Sequence, residues 1–395
     1  MSERPETRLT DETMHELASR FLSLFGTTAR VFRAPGRVNL IGEHTDYNDG
    51  FVMPAAVGFF TWVAASPRND RKLVVHSENF GEQREFSLDD IHAQGGHEWS
   101  DYVLGVAKMV ETSGRRIPGA NLLIHGNVPL GAGLSSSASL EVAVASALLD
   151  VSKSKINLKD LSLLCQRAEN EFVGARCGIM DQFIASHGKH DQALLLDCRS
   201  LDYRLLPMPT EVQLVICNTM VRHSVAAGEY NKRRAECEEG VRILAKHRNE
   251  IKALRDATLD DLDKYVAELP EVVLRRCRHV ISENARVARM AEALERGELK
   301  QLRDLMHESH RSLMHDFEVS CSELDAMVHL AGQVEGVYGA RMTGGGFGGC
   351  TVNLVQTEQV DTFKAHVTSG YQKLTNQTPE VYVCTAVDGV QQVAS

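Results

Sequence analysis

Several signatures of large function classes are missing from this chain. No Gly-Lys-Ser/Thr run occurs, since Gly188-Lys189 is followed by His190, and a Walker-type phosphate loop is excluded. His-Arg-Asp and Asp-Phe-Gly are both absent, which removes the protein-kinase machinery. The nine cysteines are odd in number and form no Cys-x-x-Cys pair, so the expectation is a cytoplasmic protein with reduced thiols and no zinc site. Lys and Arg (43) are outnumbered by Asp and Glu (53), and no basic run offsets the net charge of −10. That balance argues against a nucleic-acid surface and requires individually placed arginines for any anionic substrate. Residues 51–67 carry no charge, but Pro54, Gly58 and Thr61 interrupt them. A membrane-spanning helix needs about 20 apolar residues, so this stretch reads as two core strands. The charged start, Met1 to Arg8, lacks the apolar stretch of a signal peptide. There are no internal repeats and no low-complexity segments.

What is present fits a globular protein. With 395 residues and 43% hydrophobic content the chain can bury a core in each of two domains. The stretch that organises it is Gly131-Ala-Gly-Leu-Ser-Ser-Ser-Ala-Ser139. A short strand, 121–128, precedes this loop, and an Ala-rich apolar helix, 140–149, follows it. A strand-to-helix junction exposes unpaired N–H groups and the positive end of the helix dipole, which suits a phosphate. The rival reading is a Gly turn with a serine cap. A cap needs only one serine, and four are present.

A second glycine cluster, Met342 to Cys350, formally contains the dinucleotide pattern Gly344-x-Gly346-x-x-Gly349. It leads into the strand-like Thr351 to Val355 instead of a helix, so it reads as a loop between strands that packs near a ligand or the serine loop. Upstream, short strands near 30–34 and 37–41 flank Pro35-Gly36, and Asp49-Gly50 closes a hairpin. The turn Glu43-His44-Thr45-Asp46 is dense in hydrogen-bonding side chains, as sugar sites are; a metal site and a solvated tip are its rivals. Strand alternation puts Arg37 and Asn39 on one face, where a guanidinium can meet phosphoryl charge or form a surface ion pair.

Further strands are expected at 59–66 and 72–76, with Ser77 at the exit, so this half opens antiparallel. A helix over 160–173 sets Glu169 beside the stripe Leu161, Leu164, Cys165, Ala168 and Phe172. Such a carboxylate needs a partner, either Mg2+ or an arginine. Asp181 lies in an apolar run after Gly178, as a helix cap or a desolvated general base. Strands at 191–197 and 212–217 close the first domain. Residues 229–335 are mostly helical, with Tyr230 near their start. The rest reads strand (337–342), glycine loop, strand (351–355), helix (358–375), strand (380–384), and a short polar tail after Thr385. This order is that of an α+β protein.

Three of these stretches together resemble the motifs of the GHMP small-molecule kinases: Gly36-Arg-Val-Asn-Leu-Ile-Gly-Glu-His-Thr-Asp-Tyr47, Gly131 to Ala138, and Gly344 to Cys350. The first is the version found in the galactokinase branch, and the similarity runs over nearly the whole chain. The resemblance implies a two-domain α+β architecture. Residues 1–208 would be a ribosomal-protein-S5-like domain and 209–395 a ferredoxin-like domain carrying the loop 344–349, with the active site in the cleft between them. It implies ATP-dependent phosphorylation of α-D-galactose at the C1 hydroxyl, the entry step of galactose catabolism. Carried over by position, Glu43, His44, Thr45, Asp46 and Tyr230 would bind the sugar. Gly131, Ala132, Gly133, Leu134, Ser135, Ser136 and Ser137 would wrap the triphosphate, with Ser77 near the nucleotide. Ser137 and Glu169 would hold Mg2+, Asp181 would take the C1 proton, and Arg37 would stabilise the transferring phosphoryl group. The implied protein is a cytoplasmic monomer with galactose and ATP as partners, and with no nucleic-acid or membrane partner. An N-acetylgalactosamine kinase and a non-catalytic galactose- and ATP-binding sensor are the rivals. Sensors of that kind lose part of the serine loop, whereas Ser135-Ser136-Ser137-Ala138 and Asp181 are all present here.

Overall fold

The structure is a computed structural model that describes residues 5–94, 98–222 and 226–394. In chain order, helix α1 (Pro5–Phe25) leads into β1 (Arg30–Asn39), β2 (Phe51–Val52), β3 (Pro54–Pro67), β4 (Lys72–Ser77) and β5 (Glu82–Ser87). Then come α2 (Trp99–Thr112), β6 (Ala120–Gly126), α3 (Ser136–Val151), α4 (Leu158–Arg167), α5 (Met180–His187), β7 (Gln192–Asp197), β8 (Tyr203–Pro207) and β9 (Val212–Arg222). Five helices follow, α6 (Ala226–Leu244), α7 (Leu259–Lys264), α8 (Glu271–Arg296), α9 (Leu299–Ser312) and α10 (Ser322–Gly332). The chain ends with β10 (Val337–Thr343), β11 (Gly348–Gln356), α11 (Val360–Thr375), β12 (Glu380–Cys384) and β13 (Gln391–Ala394). No described helix is long and apolar enough to cross a membrane.

A six-stranded sheet in the order β13-β1-β3-β6-β4-β5 forms the first half. The two strands expected around Pro35-Gly36 are one strand, because a bulge between these residues absorbs the proline without breaking the pairing with β3. The antiparallel opening stops at β3. Strand β6 inserts between β3 and β4 and runs parallel to β4, since the crossover through α2 returns the chain in the same direction. Helix α3 is buried almost all round, against β1, β3, α2, α4 and α5, which explains its Ala-rich, weakly amphipathic sequence.

The second sheet, β10-β11-β9-β12, carries α9, α10 and α11. Strand β9 thus opens this sheet instead of closing the first domain. The tail after Thr385 also differs from expectation: β13 crosses back to pair with β1, and Val57 bridges Ala386. One apolar cluster joins the halves. Val38, Leu40, Ile41 and Met53 pack with Ala291, Met306, Val352 and Leu354. Each buried Val, Leu, Ile or Met side chain among them contributes roughly 1.5–3 kcal/mol.

Candidate active site

Three loops converge above that shared core. The serine loop enters α3 at Ser135, which adopts a left-handed conformation (φ 60°) and makes no side-chain cap bond. The capping reading of the serines therefore fails. Within the loop, Ala132 and Leu134 bury their side chains in the core, while Gly131 and Gly133 stay open. The carbonyls of Gly133 and Leu134 turn to Arg37, accepting from its Nη1 (2.6 Å) and its backbone N–H (3.0 Å). The glycine loop between β10 and β11 lies directly against the serine loop. A Cβ added to Gly344 would come within 3.0 Å of the Gly133 carbonyl oxygen, so only glycine allows this approach.

Arg37 and Asp181 form the centre. Arg37 donates from Nε (2.7 Å) and Nη2 (2.8 Å) to the two carboxylate oxygens of Asp181, and Ser135 Oγ donates to Oδ2 at 2.5 Å. Such a bidentate contact fixes orientation as well as charge. Asp181 occupies the first turn of α5 without capping it, the cap position being Ile179. On one side of this pair lies a cavity of about 160 Å³ lined by Glu43, His44, Asp46, Tyr230 and the Gly344-Gly345 backbone. A second cavity, of about 250 Å³, is lined by Ser77, by Ser136 and Ser137, which follow Ser135 in the chain, and by an aromatic wall. In that wall Phe80 and Trp99 stack with centroids 5.8 Å apart, and Tyr102 stands beside them. Sequence reading missed these three rings. They come from a turn and the start of α2, and neither periodicity nor spacing marks them as neighbours.

The turn at 43–46 is not a solvated tip. Glu43, His44 and Thr45 are all buried. Glu43 accepts from Asn39 Nδ2 and Arg341 Nη1 (2.7 Å each), from the Gly344 N–H (2.8 Å) and from Thr343 Oγ1 (3.3 Å). Asn39 and Arg37 do share one face, as alternation requires. His44 is also left-handed (φ 64°), a conformation that costs about 1–3 kcal/mol in a non-glycine residue and recurs at functional sites. Its Nδ1 pairs with Tyr47 Oη at 2.8 Å, its Nε2 has no partner, and burial lowers its pKa to about 3, so the imidazole is neutral. Tyr230 packs on His44 with ring centroids 5.6 Å apart. Thr45 departs from the expectation. Its hydroxyl points to the carbonyls of Gly42 and Phe51, closing the loop, and it does not line the sugar-sized cavity.

Helix α8 supports this turn from behind, which the sequence did not disclose. Glu283 accepts the Gly42 N–H (2.9 Å) and Ser309 Oγ (2.6 Å), His279 Nε2 meets the Glu43 carbonyl (3.1 Å), and Asn284 Oδ1 accepts the Phe51 N–H (2.9 Å). The only local signal is three polar residues on the inner side of an amphipathic helix.

Asp46 faces Asp181 across the smaller cavity, and a Cβ on Gly178 would collide with its carboxylate at 2.0 Å. Burial, with the Asp181 charge second, raises its pKa to about 7. The unfolded chain gives up this proton near the ordinary aspartate value of 3.8, so stability is present at low pH and drains away as pH rises towards 7. Unfolding midpoints of wild type and Asp46→Asn at pH 5 and pH 8 check this. The wild type is expected to lose on the order of 2–3 kcal/mol more than the variant over that interval. Parallel losses would remove the assignment.

Glu169 does not lie on a regular α-helix. Its segment, Ala168–Val173, is a π-turn appended to α4, a distortion frequent at functional sites. Burial and then the Asp181 charge raise its pKa to about 7, against hydrogen bonds from Cys177, Ser137 and Gln182. The Ser137 hydroxyl and Glu169 are thus neighbours, as two ligands of one metal ion must be. Acceptors exceed donors around them, since Glu141 Oε1 and Gln182 Oε1 are buried with no partner. Among the described residues no cluster of three His, Cys, Asp or Glu side chains could hold a metal. Mg2+ fits such a donor set, because it is commonly held by one or two protein oxygens together with substrate phosphates.

Comparison with known proteins meets this geometry. The galactokinase galactose-binding signature matches residues 19–67, which contain the buried turn. The GHMP kinase N-terminal domain matches residues 101–189 and the GHMP kinase C-terminal domain residues 290–373. A galactokinase of Chloroflexus aggregans is 50% identical over 364 residues, covering 92% of this chain and 93% of the relative. One from Roseiflexus sp. is 47% identical over 379 residues, covering 96% and 97%. The chain belongs to the galactokinase family of GHMP kinases. The crystal structure of Lactococcus lactis galactokinase complexed with galactose superposes on this galactokinase-family fold with a TM-score of 0.93 at 36% identity. It covers 96% of this chain and 100% of that one. The α+β architecture with GHMP N- and C-terminal domains follows.

Proposed function

We propose that this galactokinase-family chain transfers the γ-phosphoryl group of ATP to the C1 hydroxyl of α-D-galactose, giving galactose 1-phosphate and ADP at the entry of galactose catabolism. The observation that carries the reading is the Arg37–Asp181–Ser135 contact, which stands where the sugar-sized cavity meets the serine loop. Galactose fits the smaller cavity. Asp46 accepts from sugar hydroxyls, the neutral His44 offers Nε2, and Tyr230 supplies a ring and a hydroxyl. Glu43, already holding four donors, keeps the turn in shape at the wall. ATP fits the larger cavity, with its purine on Phe80, Trp99 and Tyr102 and its triphosphate over the backbone of 131–137 and the start of α3. Ser77 lines the nucleotide side.

Phosphoryl transfer leaves little covalent chemistry for the protein, so positioning and charge stabilisation dominate. Asp181 orients the C1 hydroxyl and takes its proton as the sugar oxygen bonds to phosphorus and the bond to ADP breaks. Arg37, buried beside it, stabilises charge on the transferring group. Ser137 and Glu169 would hold Mg2+, which when bound neutralises the charge of the phosphates. We assign the halves to residues 1–208 and 209–395, except that the tail after Thr385 returns to the sheet of the first half, with the site between them. We place the reaction in the cytoplasm, consistent with nine cysteines that form no disulfide, and in a monomer, since one chain lines both cavities.

A kinase assay coupled to ADP release, run with galactose, 2-deoxygalactose, N-acetylgalactosamine and glucose, tests the reading. Galactose is expected to be turned over best and glucose, differing only at C4, to be rejected. Preference for N-acetylgalactosamine would reassign the substrate, and no turnover of any sugar would favour the sensor.

A further inference from the structure

Two buried polar side chains behind the catalytic centre, Glu141 and Gln182, are unexplained by the reaction. Glu141 lies on α3, where its neighbours in the chain, Val142, Ala143, Val144 and Ala145, all belong to the apolar core. It is fully buried, one carboxyl oxygen accepts from Gln182 Nε2 at 3.0 Å, and the other has no partner. Gln182, also fully buried, follows Asp181 on α5. The same Nε2 donates to Glu169 Oε2 at 2.6 Å. Both side-chain N–H groups of one amide are thus committed to two carboxyls from two other elements, and Ser186 and Ser162 engage only its backbone carbonyl.

This arrangement is poor for stability. A buried carboxyl with an unsatisfied oxygen, close to a second carboxyl, is worse than an apolar side chain of similar volume. What the arrangement does achieve is geometric. Glu169 sits in a π-turn, where the extra residue removes the regular α-helical register, and among the described residues Gln182 and the Cys177 thiol donate to its carboxylate, with Ser137 as a neighbour. A rigid amide donor on its inner oxygen fixes where the outer oxygen points. We propose that Gln182, braced by Glu141, is the positioning residue that aims the Glu169 carboxylate at the metal ion accompanying ATP. The proposal rests on the assignment of Glu169 as a metal ligand made above.

The test compares AMP-PNP binding by calorimetry in EDTA and in Mg2+, for wild type, Glu169→Gln, Gln182→Leu and Glu141→Met, with unfolding midpoints measured alongside. The quantity read is the factor by which Mg2+ tightens nucleotide binding. Partners of a metal ligand typically change metal affinity 10–100-fold, so Gln182→Leu and Glu141→Met are expected to cut that factor about tenfold or more. Metal-free affinity should stay unchanged. Glu141→Met should do this with a midpoint at or above that of wild type, a combination that a merely structural role cannot produce. If Gln182→Leu fails to fold, Glu141→Met decides. A factor within twofold of wild type in Glu141→Met overturns the proposal, whatever happens to its midpoint. If Glu169→Gln also keeps the full factor, the metal assignment itself falls; if Glu169→Gln loses it and Glu141→Met does not, only this inference falls.

Discussion

Replacing Asp181 by alanine is expected to lower kcat for galactose phosphorylation by roughly 10²–10⁴-fold, the range for loss of a positioned proton acceptor, while galactose binding stays measurable. The sugar cavity has other polar walls in Asp46, His44 and Tyr230, whereas the hydrogen bonds of Asp181 go to Arg37 and Ser135. Arg37 complicates the variant. It is buried, and without Asp181 its guanidinium keeps only the Gly133 carbonyl among its present side-chain partners. Asp181→Asn preserves the shape and an acceptor oxygen, so it should fold better and remain equally inactive. Steady-state kinetics together with calorimetric galactose binding check both variants. Turnover like that of wild type would take Asp181 out of the reaction.

The second large effect concerns stability. Arg341 is a fully buried side chain, with 0% exposure, and Glu43 is its carboxylate partner at 2.7 Å. The Asn39, Arg341 and Gly344 contacts to Glu43 all come from N–H donors, which favours the ionised carboxylate even though burial pushes its pKa up. The pair joins the two halves of the chain, since Glu43 belongs to the turn after β1 and Arg341 to β10. Glu43→Ala leaves an unpaired guanidinium in the interior and is expected to cost about 3–5 kcal/mol in a denaturant titration. Adding Arg341→Met to that variant should restore most of the loss, because removing both charges is far cheaper than stranding one. A single variant as stable as wild type would show that the pair does not hold the halves together.

How much of this was legible in the sequence follows from the range over which each signal acts. The serine loop, the Glu43 to Asp46 turn and the Arg37/Asn39 face are local patterns, and the structure brings them to one place. Asp181 was also visible, as a carboxylate in an apolar run, but its two rival roles could be separated only once Ile179 was seen to occupy the cap position. Thr45 was misjudged because a threonine in a polar turn looks the same whether its hydroxyl faces a ligand or closes its own loop. Glu169 was read on a regular helix because hydrophobic periodicity does not report a single π-turn. The remaining omissions are long-range. The Phe80–Trp99–Tyr102 wall, the props from α8 and the return of β13 to β1 depend on tertiary pairing that no short window of sequence records.

The central claim is that a sugar held by the buried turn presents its C1 hydroxyl to Asp181 opposite a triphosphate held by the serine loop. Crystals of the inactive Asp181→Asn variant grown with galactose, ATP and Mg2+ test it most directly. The account predicts both substrates intact, with the C1 oxygen within about 3 Å of residue 181 and the γ-phosphate against residues 133–137 on the Arg37 side. Galactose bound with C1 turned away from residue 181, or a triphosphate lying clear of the serine loop, would contradict it.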